Sequence, residues 1–450
     1  MPKIEDTEAS GYRYFMSDEP RENLGPILVE DDSILGKVKV REARIGMVRN
    51  ASDANRKAVK VYLNPLPHVR IENAKPLQGW YKSKHEPGSI RPRPCYTEAL
   101  LTEPYGGSCP IRCRFCYVNS GVRGYRGTGL TVVPFKYGEQ IKKQLSQLRR
   151  GSAGYITPFH EPFNPLEKFY HNTQQAAEAF TEVGLPIFFL SRLNYPDWAI
   201  ELLKQNKYSY AQKSINTSDP SDWKKLSPGA PPLDQQYADI RRISDSRIYV
   251  SIQVNSVIPG VTSNEQVVEL FRQLANAGAN HVIVKFVECA YSWVSAMVAR
   301  MVESFGDRGN KFAELLTQNI GGEKTIDEGY RRKAHALFRR EATKLGLTYA
   351  MCYEYGWDCD DDGKVLSKTG VSLGPTYTTS DQCHGRRVPV FTRNSAEERF
   401  KEIKVCPPSG CLYCADDNNG VPRCKDQLMG EATALRLPAM KKPIQIPEKK

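Results

Sequence analysis

The stretch Glu103-Pro-Tyr-Gly-Gly-Ser-Cys109-Pro-Ile-Arg-Cys113-Arg-Phe-Cys116-Tyr-Val-Asn119 sets three cysteines at Cys-x3-Cys-x2-Cys spacing. Three thiols this close share one loop and can wrap one small inorganic cluster. Three ligands on a four-iron cube, a [4Fe–4S] cluster, leave one iron open for a chelating partner. The plainer reading is a zinc site with an external fourth ligand. The segment follows the apolar run Tyr96–Leu101, which places it on the loop at a strand's C-terminal end. Tyr117 comes directly after the last cysteine and is expected to pack beside the cofactor.

From residue 96 onward the pattern is regular. Further β-rich runs fall at Gly154–Thr157, Pro186–Ser191, Tyr208–Ile215, Arg247–Val254 and His281–Val287. Helical patterns lie between them, such as Glu265–Ala277 with Val268, Leu270, Phe271 and Leu274 at helical spacing. Strand alternating with helix predicts an α/β fold with a parallel sheet. Six such units predict a partial (β/α)6 TIM-like barrel with its site at the C-terminal ends of the strands. The expected organisation is an N-terminal extension over 1–94, read as small and irregular with Ala58–Leu63 a candidate strand. The partial barrel over 95–350 follows, then a Cys-rich metal-binding module over 351–440 and a basic tail over 441–450. The run Leu347–Tyr353 is either an additional strand or the start of the second module.

Lysine and arginine number 63 against 51 acidic residues, a net charge of +12 that favours a polyanionic partner. No apolar run approaches the ~20 residues of a membrane span, and the N-terminus lacks the features of a signal peptide. A cytoplasmic protein with no membrane partner is expected. In that setting twelve cysteines, seven of them in two tight groups, point to metal rather than to disulfides.

The first cysteine group resembles the defining motif of the radical S-adenosylmethionine (SAM) superfamily. Pro104-Tyr-Gly-Gly-Ser-Cys109, Pro162-Phe-Asn-Pro-Leu-Glu167, Ser214-Ile-Asn-Thr-Ser-Asp219, Ser227-Pro-Gly-Ala-Pro-Pro232 and Val257-Ile-Pro-Gly260 are similar, in that order, to stretches of its spore photoproduct lyase-like branch. The resemblance covers residues 96 to 290. It implies SAM bound to the open iron and a 5′-deoxyadenosyl radical that abstracts a substrate hydrogen. It also implies an external electron donor such as flavodoxin or ferredoxin. Arg192, next to Ser191, and Ser214 are implied contacts of the SAM carboxylate. Glu161 and Glu167 are candidates for its ammonium, and His160 for acid–base work. The branch's hydrogen-donor cysteine is missing from Tyr155-Ile-Thr-Pro-Phe-His-Glu-Pro162. Cys289 or Cys352 could substitute, a buried core cysteine being the plain alternative for either.

The second group, Cys406, Cys411, Cys414 and Cys424, puts four thiols within nineteen residues rich in turn formers. It suits a second metal site, either zinc or an auxiliary Fe–S cluster. Cys383-His384 is a further possible ligand pair, or a solvent-exposed loop. Gln253, Asn255, Lys285 and Glu288 lie near strand ends, where alternation turns only some of them inward. Arg123, Tyr125, Arg126, Lys142, Lys143, Arg149 and Arg150 form a basic stretch that suits a flipped nucleotide, or simply a solvated helix face.

Three functions follow. The leading expectation is radical isomerisation of a modified thymidine in DNA, a hypermodification. The second is DNA lesion repair of the spore photoproduct lyase kind, which the missing cysteine disfavours. The third is a radical SAM enzyme that modifies peptides or proteins through an auxiliary cluster.

Overall fold

The computed structural model describes residues 25–46, 56–71, 76–77, 99–120, 129–148, 150–320, 323–352, 354–356, 371–380, 382–389, 391–393 and 395–402. Its centre is a seven-stranded sheet. The strands are β1 (Ala99–Thr102), β2 (Ala153–Ile156), β3 (Ile187–Ser191), β4 (Tyr210–Ser214), β5 (Tyr249–Val257), β6 (His281–Phe286) and β7 (Thr348–Met351). Every pairing is parallel, and the order across the sheet is the order along the chain. With right-handed crossovers, a monotonic order puts successive helices on one face. These are α1 (Tyr137–Ser146), α2 (Asn172–Glu182), α3 (Asp197–Lys204), α4 (Leu233–Asp245), α5 (Asn264–Asn276) and α6 (Glu328–Lys344). Helix α5 starts at a capping box formed by Ser263 and Gln266, and buries Val267, not Val268, with Leu270, Phe271 and Leu274.

The run Leu347–Tyr353 resolves as the additional strand. It supplies β7, paired with β6 from His281↔Thr348 to Val284↔Met351. No helix among the described residues is long and apolar enough to cross a membrane.

The region before residue 94 is more ordered than the irregular extension expected. Strands Leu28–Asp32, Gly36–Gly46, Arg56–Tyr62 and His68–Ile71 form an antiparallel meander. Its last strand pairs in parallel with Thr131–Pro134, which follows the cysteine loop. Arg70 ties this sheet to the centre. It pairs with Asp32 at 2.7 Å, stacks on Tyr62 and donates to the Tyr170 hydroxyl. The pair holds the Asp32 carboxyl well below its usual range.

A segment from the far end of the chain closes the opposite edge. Alternation gives the sheet two faces. On the one turned away from the helices, Tyr155, Phe188 and Tyr210 stack at 4.4 Å centroid spacings. His384 seats its ring against all three and hydrogen-bonds the Tyr210 hydroxyl at 2.7 Å. The neighbouring Cys383 carbonyl meets His281 Nε2 at 2.9 Å. Gly385 sits so close that a Cβ would meet the His281 ring at 2.3 Å, and its φ of 80° suits glycine alone. Cys383-His384 is therefore no exposed loop. His384 is buried, and it forms the floor beneath the strands.

Candidate active site

The cysteine loop leaves β1 and is gripped from the β4 side. Arg114 N–H donates to the Leu226 carbonyl at 2.9 Å, and Gly229 N–H donates to the Ile111 carbonyl at 3.0 Å. At Gly229 a Cβ would stand 2.6 Å from the Pro110 carbonyl oxygen, so only glycine permits this approach. The turn Ser227-Pro-Gly thus has a structural duty, to clamp the loop that carries Cys109, Cys113 and Cys116.

Cys113 is buried and the two flanking cysteines are half-buried; none of the three is in a disulfide. Burial pushes the Cys109 thiol well above its usual range, and nearby Cys113, Glu161 and Cys116 add to the effect. The site therefore gathers more negative charge than it can hold unaided, and bound iron would neutralise it. No three His, Cys, Asp or Glu side chains among the described residues converge as ligands of one metal ion. A cube spreads its cysteine ligands over separate corners, so one loop carrying three thiols outside any disulfide fits a [4Fe–4S] cluster.

The residues at the ends of β2, β3 and β4 gather beside this loop. Glu161 is buried, and its carboxylate accepts from the Ser191 hydroxyl at 2.5 Å, Arg192 N–H at 2.9 Å and Phe163 N–H at 3.3 Å. Burial raises its pKa against those hydrogen bonds. Arg192 is 8 % exposed, yet no carboxylate pairs with its guanidinium among the described residues. The guanidinium donates to the Ser214 carbonyl at 3.0 Å, the Asn255 carbonyl at 3.1 Å and the Ser227 hydroxyl at 3.3 Å. It lies over Phe115 of the cysteine loop and over Trp223. A buried guanidinium without a counter-charge suits an anionic ligand group such as the SAM carboxylate.

Other sequence candidates fall into different places. His160 is buried, and its ring bridges the Glu161 carbonyl and, at 3.1 Å, the Ser108 carbonyl just before Cys109. This geometry holds the loop to β2. Tyr117 is exposed at the loop's end and meets the Phe159 ring edge-on. Glu167 is hydrogen-bonded within the protein. It accepts from the Tyr105 hydroxyl and from Thr173 and Gln174 N–H, capping the start of α2, and burial lifts its pKa to about 7. Cys289 lies on a short strand, Glu288–Ala290, paired with Glu323–Thr325. It is fully buried in the apolar core, which pushes its thiol up to about 12. Lys285 and Glu288 pair at 3.0 Å. Cys406, Cys411, Cys414 and Cys424, with Arg123, Tyr125, Arg126 and Arg149, lie outside the described residues.

Sequence reasoning passed over Ser227 as a ligand-shell residue and Gln212 altogether. The first carries a hydroxyl 3.5 Å from the Cys113 sulfur. The second lies mid-strand, where only the lack of partners for its side-chain amide marks it.

No family model matches the chain. A curated protein of Pseudomonas phage M6, named Radical SAM Nalpha-GlyT isomerase, is 55% identical over 442 residues, covering 96% of this chain and 92% of that protein. Among solved structures, a spore photoproduct lyase complexed with dinucleoside spore photoproduct has 15% identity and a TM-score of 0.44, covering 55% of this chain and 74% of that one. Streptococcus suis SuiB bound to S-adenosylmethionine has 18% identity and a TM-score of 0.38, covering 56% and 51%. On the near full-length identity to the phage protein, this chain belongs to the radical SAM family and is a radical SAM enzyme, a family whose chemistry rests on SAM and a [4Fe–4S] cluster.

Proposed function

We propose that this enzyme isomerises a thymine-derived base in DNA, the Nα-GlyT of its relative's name, which we read as thymine bearing glycine through its α-nitrogen. The observation that carries this reading is the 55% identity spread over 96% of the chain. The charge of +12 supports a polyanionic substrate. We also read the seven-stranded sheet as an opened (β/α) barrel with its mouth at the cysteine loop, and the C-terminal cysteines as a second metal site.

In this reading Cys109, Cys113 and Cys116 hold the cluster, Arg192 holds the SAM carboxylate, and Glu161 faces its ammonium. Ser214 lends its carbonyl to fix the Arg192 guanidinium. Cluster and SAM together supply a 5′-deoxyadenosyl radical, with the electron coming from a donor such as flavodoxin or ferredoxin. The residues after β2, Thr157-Pro-Phe-His-Glu-Pro162, carry no thiol, and Cys289 is sealed in the core. Both facts support return of the abstracted hydrogen from 5′-deoxyadenosine, with Cys352, half-buried just past β7, the remaining candidate thiol donor. His160 then acts by positioning the loop, not as an acid or base.

The test uses the full chain with its cluster reconstituted, SAM, a reductant and DNA carrying the glycylated thymine. Digestion to nucleosides should give a product of unchanged mass but altered retention and fragmentation, with far less than one 5′-deoxyadenosine per product. SAM cleavage with every nucleoside unchanged would overturn the reading.

A further inference from the structure

The Gln212 carboxamide takes part in none of these contacts. The residue is 1 % exposed, and neither its oxygen nor its nitrogen has a hydrogen-bond partner. Its neighbour Lys213 turns to the helix side, where it pairs with Asp239 of α4 at 2.6 Å. Alternation therefore puts Gln212 on the opposite face, the one closed below by His384. Ser251 of β5 is in register with it, fully buried, and its hydroxyl is also unpartnered. One step nearer the cysteine loop, Ser214 is in register with Gln253, whose side-chain oxygen likewise lacks a partner. Arg192 holds the Ser214 carbonyl above them.

Unpaired amide and hydroxyl groups in an interior are costly, and native proteins keep few of them without a functional reason. Here three sit together on two adjacent strands, between an aromatic floor and the guanidinium beside the cysteines. A carboxamide offers one donor and one acceptor side by side. The complementary group is an N–H flanked by a carbonyl, which is the imide edge of a thymine base. Because both amide atoms are open, the match holds whichever way the amide is assigned.

We infer that Gln212, assisted by Ser251, reads the imide edge of the substrate base and so sets which base enters; this rests on the thymine reading above. The test replaces the amide with an apolar group of similar size, Gln212→Leu, in the full-length reconstituted enzyme. The substrate is a duplex oligonucleotide with one glycylated thymine. Its KM should rise about tenfold or more, the loss expected for one or two hydrogen bonds, while kcat falls less. The SAM dissociation constant and iron content should not change, and the melting temperature should equal or exceed that of the wild type. A substrate methylated at the imide nitrogen should be poor for the wild type and no poorer for the variant. An unchanged KM would make the amide merely structural and overturn the inference. So would a matching loss of SAM affinity, which would assign the amide to the cofactor. A wild type that cleaves SAM but leaves the base untouched overturns the thymine reading itself, and this inference with it.

Discussion

The hydroxyl of Ser227 lies 3.5 Å from the sulfur of Cys113, and the same oxygen receives a hydrogen bond from Arg192. Accepting from the guanidinium frees the hydroxyl hydrogen to point at sulfur. A hydrogen bond to a ligating thiolate stabilises the reduced, more negative cluster and raises its potential. Ser227→Ala should therefore lower the midpoint potential, by about 60 mV if the bond is worth a factor of ten. A redox titration followed by electron paramagnetic resonance reads this directly, and an unchanged potential would remove Ser227 from the ligand shell.

Arg192→Lys keeps the charge but loses the planar fork that reaches three protein oxygens at once. SAM affinity should fall by about 10- to 100-fold, the range for a charged hydrogen bond, with iron content intact. Equilibrium binding to the reconstituted protein checks it. Equal affinity would place the SAM carboxylate elsewhere.

Cys113→Ala should remove about four irons per chain, the content of one cube, and abolish SAM cleavage. If a second cluster is present, the remaining iron reports it. Loss of roughly one metal instead of four would restore the zinc reading.

Burial lowers His281 to about 4 and His384 to about 3, against 6.5 for an exposed histidine. Their folded pKa values lie below the unfolded ones, so as pH drops through 6.5 the unfolded chain takes up protons that the folded chain refuses. Stability is then present above this window and lost through it, by about 3 kcal/mol per histidine once pH reaches about 4. Denaturant midpoints between pH 7.5 and 5 should fall more steeply for the wild type than for His384→Phe. Equal slopes would show that the floor opens before it titrates.

Arg331 and Glu354 form a buried pair at 2.6 Å, joining α6 to the end of β7. Burial alone would raise the Glu354 carboxyl, but Arg331 and then His335 hold it at about 2. Arg331→Met strands that carboxylate and should cost about 3–5 kcal/mol, whereas Arg331→Met with Glu354→Gln should recover much of it. Thermal melts of the single and double variants decide this.

Much of the central sheet was legible because parallel strands buried on both faces read as apolar runs between helical periods. All six expected runs overlap a strand, and Leu347–Tyr353 supplied the seventh. Of the N-terminal meander only the strand at Ala58–Leu63 was read, although Lys37-Val38-Lys39-Val40 alternates visibly; charges and prolines masked the period elsewhere. At the candidate site, Cys109, Cys113 and Cys116 were singled out by spacing, Glu161 by its place just past a strand, and Arg192 and Ser214 through resemblance. Gln212 and His384 were not legible. A glutamine inside a strand looks ordinary until its partners are counted, and a histidine amid loop formers gives no sign that it plugs a sheet.

That plug has a consequence for how the enzyme is made. The chain from 382 to 389 reaches the ribosome's exit long after all seven strands, yet it covers the aromatic face of the sheet. Contacts so distant in sequence form late. A nascent chain stopped before Gln382 would already carry all seven strands and the cysteine loop, but the stacked rings of Tyr155, Phe188 and Tyr210 would lack the cover that His384 gives them.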